Sequence, residues 1–443
     1  MIKNSFLEMP EYKQYVDSGI DRIGKIPMGW SVKKLKFCAE INSRTLPENT
    51  SAKRTINYVD IGSVSLVNGI EKSETFTFSE SPSRARRLAK AGDTIVSTVR
   101  TYLKAISFIE EEHKDYVFST GFAVLSPRLE LNSKYFARFI KSNAFTQQVD
   151  DIAKGMSYPA INSSELSNMY VVIAPESSQV AIANFLDKKT AQIDEAVAIK
   201  QQQIELLKER KQIIIQQAVT QGLAPNVPMK DSGVDWIGRI PKHWEVKRAK
   251  YLFDEIDERS VNGDEELLSV SHITGVTPRS EKNVTMIAED YSGSKTCKKN
   301  DLVMNIMWAW MGALGVSERP GIVSSAYSIF RQKPLNIFNP VYLEWLLKTV
   351  GYIEHYNKVS TGLHSSRLRF YSRMFFDMEI GFPCRNEQDQ IVAHVEVQSN
   401  KIDQAVKLQL QQIEKLKEYK TILINSAVTG KIKVPQKQES ILN

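Results

Sequence analysis

A chain that repeats itself at a distance of about 210 residues cannot be a short-repeat solenoid; each copy has to be a domain in its own right. Here the segment Asp17-Ser-Gly-Ile-Asp-Arg-Ile-Gly-Lys-Ile-Pro-Met-Gly-Trp30 returns 214 residues later as Asp231-Ser-Gly-Val-Asp-Trp-Ile-Gly-Arg-Ile-Pro-Lys-His-Trp244. Near the end of each copy, Gln203-Ile-Glu-Leu-Leu-Lys-Glu-Arg-Lys211 returns 209 residues on as Gln412-Ile-Glu-Lys-Leu-Lys-Glu-Tyr-Lys420, and Ala218-Val-Thr220 returns as Ala427-Val-Thr429. The ends of the two copies are alike, whereas their middles, roughly residues 45–155 and 259–360, have drifted apart. The expectation is two domains that share one framework and carry different payloads.

With 443 residues and 42% apolar side chains, each half is long enough to bury its own core. No apolar run follows a basic start and no stretch reaches about 18 apolar residues, so neither export nor a membrane span is expected. Cys38, Cys297 and Cys384 are scattered without metal or disulfide spacing, which suits a reducing cytoplasm. The net charge of +7, with a pI near 9.0, permits an acidic partner such as nucleic acid. The positive charge concentrates in or beside the divergent middles, at Arg84, Arg86 and Arg87, at Lys295, Lys298 and Lys299, and at Arg367 and Arg369. Each cluster reads either as a phosphate contact or as a solvated face.

From about Ser178 to Thr220 the chain contains no Pro or Gly, which predicts one long helix. Its heptad seam runs through Leu186, Ile193, Lys200, Leu207 and Ile214, and through Thr190, Val197, Ile204, Lys211 and Ala218. The copy supplies Val395, Ile402, Gln409, Leu416 and Leu423, with Ser399, Val406, Ile413, Lys420 and Ala427, so even the polar exceptions recur in place. Two such helices on one chain pair most simply with each other, antiparallel; the alternative is two separate coils between chains. Pro175 and Pro383 mark the helix starts, Gly222 and Gly430 the stops.

Within the payloads, residues 93–99 and 117–125 read as strands, as do 301–307 and 322–330, each second strand followed by a helical segment near 134–143 or 340–350. The segment after the first strand differs completely between halves: Arg100-Thr-Tyr-Leu-Lys104 against Trp308-Ala-Trp-Met-Gly312. A second variable loop follows each helical segment, Ala153-Lys-Gly-Met-Ser-Tyr-Pro159 and Ser360-Thr-Gly-Leu-His-Ser-Ser-Arg367. Arg100, Lys104, Lys154 and Tyr158 in the first half, and Trp308, His364, Ser365 and Arg367 in the second, are the candidates for touching bases or phosphates. An exposed hairpin tip without a ligand is the plain alternative.

No catalytic signature accompanies them. There is no Gly-rich phosphate cradle, no dinucleotide fingerprint and no His or Cys at zinc spacing. Asn339-Pro-Val-Tyr342 and Pro383-Cys384 are like short pieces of DNA methyltransferase motifs, but both sit at a helix start and lack the rest of a cofactor domain. Structural roles are expected of them.

Together, the paired Gly-x-Ile-Pro-x-x-Trp segments (Gly24 to Trp30, Gly238 to Trp244) and the helix starts Gln179-Val-Ala-Ile182 and Glu387-Gln-Asp-Gln-Ile391 resemble the specificity subunits of type I restriction-modification systems. The Ile-Asp-x-Ala motifs at Ile193 to Ala196 and Ile402 to Ala405 complete the likeness, which covers nearly the whole chain. It implies an α+β fold in which two mixed α/β target-recognition domains are separated by two long helices forming an antiparallel coiled coil, with an internal pseudo-two-fold repeat. The segments would be 1–176 and 231–384 for the recognition domains, 177–221 and 385–430 for the helices, 222–230 for the linker and 431–443 for the tail. The implied function is non-catalytic reading of a bipartite, asymmetric double-stranded DNA target. Two modification subunits would bring S-adenosylmethionine and restriction subunits ATP and Mg2+, with no cofactor on this chain and a cytoplasmic location. A coiled-coil adaptor whose domains bind protein is the rival reading.

Overall fold

The computed structural model describes residues 9–155, 157–281, 290–334, 336–362 and 368–435. The chain divides into two compact units, residues 1–201 with 410–443 and residues 202–409, so each unit owns part of both long helices.

In the first unit the central sheet has strand order Ile106–Phe108, Thr94–Ser97, Phe122–Pro127, Ala39–Ile41, every pair antiparallel. Thr94–Ser97 is buried at all four positions, so its sequence, Thr-Ile-Val-Ser, shows no alternation of apolar and charged residues. A second four-stranded sheet, Glu74–Thr77, Thr55–Val59, Val117–Ser119, Ala85–Leu88, lies beside it in the chain's first payload. The second unit repeats the central sheet strand for strand: Leu314–Val316, Leu302–Asn305, Tyr327–Gln332, Phe253–Ile256. Its counterpart of the second sheet consists of two separate strand pairs, Leu268–Ser271 with Gly275–Pro278 and Lys295–Cys297 with Gly321–Val323.

Two expectations need correction. The single strand read over 117–125 is two strands in different sheets, Val117–Ser119 and Phe122–Pro127, and its copy is likewise split into Gly321–Val323 and Tyr327–Gln332. The chain changes sheet at Gly121, where an added Cβ would stand 2.5 Å from Ile61 Cδ1. The single helical segment is also two, Ser133–Ile140 and Asn143–Ile152, and in the copy Pro340–Leu347 and Val350–Val359. Asn132 starts the first by accepting the Tyr135 N–H at 3.0 Å, and Asn339 starts its copy by accepting from Val341 and Tyr342 at 2.9 and 3.2 Å. The methyltransferase-like Asn339-Pro-Val-Tyr342 is therefore a helix cap.

Two of the repeated motifs have mechanical jobs. The Asp-Ser-Gly segments form lead-in hairpins in which Asp17 and Asp231 each accept a bond at 2.9 Å from Gly19 and Gly233, both at φ near +70°. Gln179 and Gln388 are buried. Gln179 donates to Ala174 O (2.8 Å) and accepts from Asn132 N–H (2.8 Å). Gln388 repeats this on Pro383 O (2.9 Å) and Asn339 N–H (2.8 Å), fixing the start of each long helix to the sheet domain beside it.

The long helices span Glu176–Gln221 and Arg385–Val428. In the first unit Leu186, Ile193 and Val197 share a core with Leu416, Leu423 and Ala427. Asp194 accepts from Lys420 Nζ at 2.6 and 2.7 Å, and Lys200 bonds Gln412, so the helices run antiparallel there. In the second unit Gln409 donates to Gln203 at 3.1 Å and Lys211 Nζ to Asp403 at 2.8 and 2.9 Å, again antiparallel. Of the remaining seam residues, Ile204, Val395, Ile402 and Ile413 are buried, and Leu207, Ile214 and Val406 half-buried. The Ile-Asp-x-Ala motif thus places one carboxylate per helix against the polar seam lysine of the other. Such half-exposed pairs are worth only ~0.2–1 kcal/mol each, so the apolar seam holds and the pairs fix the register.

Each unit is closed by a helix that starts outside its sheets. The Tyr135 hydroxyl, fully buried, lies 3.0 Å from Val172 O and 3.1 Å from Val428 O at the end of the second helix. In the second unit Tyr342 donates to Val219 O at 3.0 Å, near the end of the first helix. Among the described residues no helix is long and apolar enough to cross a membrane, and no three His, Cys, Asp or Glu side chains are placed to hold a metal.

Candidate nucleic-acid interface

The sheet register decides where the variable loops go. In the first unit Ser97 pairs with Phe122, so the chain leaves the sheet at that end into residues 98–104. The second variable loop is drawn to the same place by backbone bonds: Ile161 N–H to Thr98 O at 2.8 Å and Thr101 N–H to Pro159 O at 3.2 Å. The second unit repeats the device, Phe370 N–H donating to Ile306 O at 2.9 Å. One frame thus presents two loops together, twice.

In the first unit the Arg100 guanidinium lies 5.5 Å from the centre of the Tyr158 ring. Lys104 pairs with Asp150 at 3.3 Å, and Lys154 with Glu165 at 3.6 Å. Arg100 and Lys104 flank a single 3-10 turn and both sit in the left-handed region, φ +52° and +47°, a conformation that costs about 1 kcal/mol or more and that the surrounding loop bonds must hold. Gly155, at φ +117°, makes a sharp turn; a Cβ there would meet Tyr158 O at 2.9 Å. Tyr102, 56% exposed between the two cations, completes the cluster. Its signal in the sequence is an aromatic ring two residues from each of the cations Arg100 and Lys104.

The Arg84 group divides. Arg84 is exposed, and its carbonyl accepts from Thr120 N–H at 2.8 Å, beside Gly121, whose carbonyl accepts from Thr98; it borders the loop cluster. Arg86 is occupied, lying 5.0 Å over the Phe78 ring and donating to Ala85 O. Arg87 is half-buried with its Nε unpartnered, and burial lowers the pKa of its guanidinium.

In the second unit Trp308 stacks on Trp310, ring centres 6.1 Å apart, and Met311 is exposed next to them. Trp310 and Met311 join the site beyond the sequence candidates; their signal is the Trp-x-Trp-Met spacing itself. Arg369 donates to its neighbour Leu368 O and bridges Thr361 at the base of the second loop. His364, Ser365 and Arg367 lie outside the described residues. Lys298 and Lys299 do not join this cluster: they precede Leu302, at the far end of the strand from Trp308. Lys298 there pairs with Glu258 at 3.2 Å, and the bonds of Arg331 and Lys298 hold that carboxyl below its ordinary range.

Three comparisons bear on this arrangement. The family described as the type I restriction modification DNA specificity domain matches residues 27–209. Among curated proteins, the type I restriction enzyme MjaVIII specificity subunit of Methanocaldococcus jannaschii is 23% identical, the match covering 63% of this chain and 66% of that one. The MjaIX specificity subunit of the same organism is 24% identical over 51% of this chain and 52% of its own. The chain thus spans between about half and two thirds of the length of these relatives. Among solved structures, a chain from work on complex assembly and conformational transition of the type I R-M system superposes with a TM-score of 0.67 at 19% identity, covering 91% of this chain and 98% of that one. The HsdS subunit of Thermoanaerobacter tengcongensis gives 0.52 at 18% identity, covering 92% and 98%. Residues 27–209 thus match the DNA specificity domain of type I restriction-modification systems, the curated relatives are specificity subunits of such systems, and the mixed α/β units with two long helices share the fold of the solved chains.

Proposed function

We propose that this chain is the DNA-reading subunit of a type I restriction-modification complex and that it recognises a bipartite, asymmetric target, one half-site per unit. The observation that carries the reading is the repeated loop frame: equivalent bonds, Ile161 to Thr98 and Phe370 to Ile306, present chemically different side chains. A duplicated frame with divergent contacts is what reading two different sequences requires. Arg84, Arg100, Lys104, Lys154 and Tyr158 serve the first half-site; Trp308, His364, Ser365, Arg367 and Arg369 serve the second. On this reading, methyl transfer from S-adenosylmethionine and ATP-driven, Mg2+-dependent cleavage belong to partner subunits.

Two modification subunits dock on the long helices. Their outer faces leave apolar side chains in water: Ile199, Leu410 and Ile422 in the first unit, Leu206, Ile213, Val397 and Leu408 in the second.

Selection of bound duplexes from a randomised library, with the modification subunit present, tests the proposal. One split motif is expected, with affinity falling steeply as salt rises. Arg100→Ala should relax bases in one half-site only, by about 1–3 kcal/mol if the contact is bidentate to guanine. No enrichment of any duplex, with a protein captured through Trp308 and Trp310 instead, would favour the adaptor reading.

A further inference from the structure

At the end of each central sheet away from the variable loops, the two units carry the same surface. In the first unit, Lys90 precedes Thr94 and Arg128 follows Pro127; Thr94 pairs with Leu125 at this end, whereas the loops leave beyond Ser97 and Phe122. Three residues of strand separate the two ends, on the order of 10 Å. Phe37 stands out from this end 63% exposed, with Lys36 Nζ 5.4 Å from its ring centre. Lys33, Phe37, Glu40, Lys90, Arg128 and Leu129 line one concavity.

The second unit repeats its aromatic ring, four cations and central carboxylate, with Pro334 following Lys333 where Leu129 follows Arg128. Tyr251 is 64% exposed with Lys250 Nζ 5.0 Å from its ring centre. Lys247 stands for Lys33, Asp254 for Glu40, Lys298 for Lys90 and Lys333 for Arg128. The backbone confirms the correspondence: Lys90 N–H donates to Asp93 and Lys298 N–H to Asp301, both at 2.8 Å. Arg128 N–H donates to Cys38 O at 3.0 Å and Lys333 N–H to Leu252 O at 2.8 Å.

An exposed aromatic ring set among four cations recurs in both units of a chain whose base-reading loops have diverged, although in the second unit Lys247, Lys298 and Lys333 also pair with Glu245, Glu258 and Asp254. A surface that stays the same while the readers change must meet something that is the same at both units. Sequence-independent DNA backbone is one such ligand, but the carboxylate retained in the middle of both patches, Glu40 and Asp254, would repel phosphate. Both patches also adjoin the start of a long helix: Ile173 lines the first, just ahead of Glu176, and Arg385 of the second helix donates to Asn336 O and Phe338 O close to Lys333.

We infer that these two patches are paired docking sites for two copies of one protein partner, which presents an acidic rim around an apolar pocket for Phe37 in one unit and Tyr251 in the other. The inference rests on the functional reading above, under which the partner is the modification subunit, and adds a contact on the recognition domains to the one on the helices.

The test uses the full chain with its modification subunit, native mass spectrometry for stoichiometry and a separate titration of target duplex without the partner. Lys36→Glu with Phe37→Ala should leave complexes holding one modification subunit, and adding Lys250→Glu with Tyr251→Ala should weaken assembly at least 10-fold. Phe37→Tyr and Tyr251→Phe, each borrowing the other unit's residue, should assemble as the unaltered chain does; circular dichroism checks that all variants fold. Two modification subunits retained at unchanged affinity by the quadruple variant would overturn the inference while leaving the functional reading intact. Unchanged stoichiometry with lost duplex affinity would assign the patches to phosphate instead. An unaltered chain that binds duplex but no modification subunit would overturn both readings of the partner.

Discussion

Replacing Tyr135 by Phe removes one oxygen from the centre of the first unit. That hydroxyl has a single proton and two carbonyl oxygens within reach, Val172 O at 3.0 Å and Val428 O at 3.1 Å. Val428 is the last residue of the second long helix, where carbonyls have no partner within the helix. Without the hydroxyl the buried site is left a donor short, which costs ~1–3 kcal/mol. For a unit of this size the melting temperature should fall by about 2–4 °C per kcal/mol. The loss should also be local: hydrogen exchange should quicken at residues 425–434, where the helix end and the following segment, including buried Ile432 and Val434, close the core, while the Thr94–Ser97 strand keeps its protection. Tyr342→Phe, which frees only Val219 O, should cost about 1 kcal/mol and show itself near residues 215–221. A Tyr135→Phe change under about 0.5 kcal/mol, or one spread evenly over the unit, would refute the idea that this hydroxyl latches the helix end.

Arg331→Ala should destabilise the second unit by ~3–5 kcal/mol in denaturant unfolding, since it abandons Asp301, 1% exposed and held at 2.7 and 2.8 Å by the guanidinium; a loss below 1 kcal/mol would mean Asp301 is neutralised or hydrated. Burial, with Arg138 and Lys420 nearby and Glu110 opposing them, pushes the Lys141 ammonium down to about 8. The fold therefore disfavours its charged form at neutral pH. Lys141→Met should gain on the order of 1 kcal/mol at pH 7, a gain that shrinks as pH rises from 8 towards the unfolded value above 10; a gain that does not change with pH would assign it to packing. A fragment ending near Pro228 loses Leu423, Ala427 and Val428 from the first unit's core, but carries their repeats Ile214, Ala218 and Val219. It should form a dimer by lending each helix end to the other copy and should read a symmetric target; a folded monomer in analytical ultracentrifugation would contradict this.

The long helices and their seam were legible because a heptad pattern without Pro or Gly leaves few alternatives, and because the duplication repeated even its polar exceptions. The reason for those exceptions was not: Lys211 and Lys420 find Asp403 and Asp194 only once the helices are paired. The loop pairs were legible as sequence divergence, and the structure adds what joins them, backbone bonds between segments some 60 residues apart such as Thr98 and Ile161. The break at Gly121 was hidden inside an apolar run, since both pieces bury their side chains and only the missing room for a Cβ betrays the change of sheet. Lys298 misled because a cluster of cations in sequence says nothing about which end of a strand it occupies. Closure of the first unit by Val428, 293 residues from Tyr135, is a contact that no local pattern encodes.

The central claim, that one duplicated frame reads two unlike half-sites, is tested most directly by sequencing the methylome of a host that carries this chain with its modification partner, beside the same host carrying the Arg100→Ala chain. The account predicts one motif of two unlike halves around a spacer of unspecified bases, with adenine methylated in it, and in the variant host a motif relaxed in one half and unchanged in the other. A single contiguous motif, or one relaxed equally in both halves by Arg100→Ala, would contradict it.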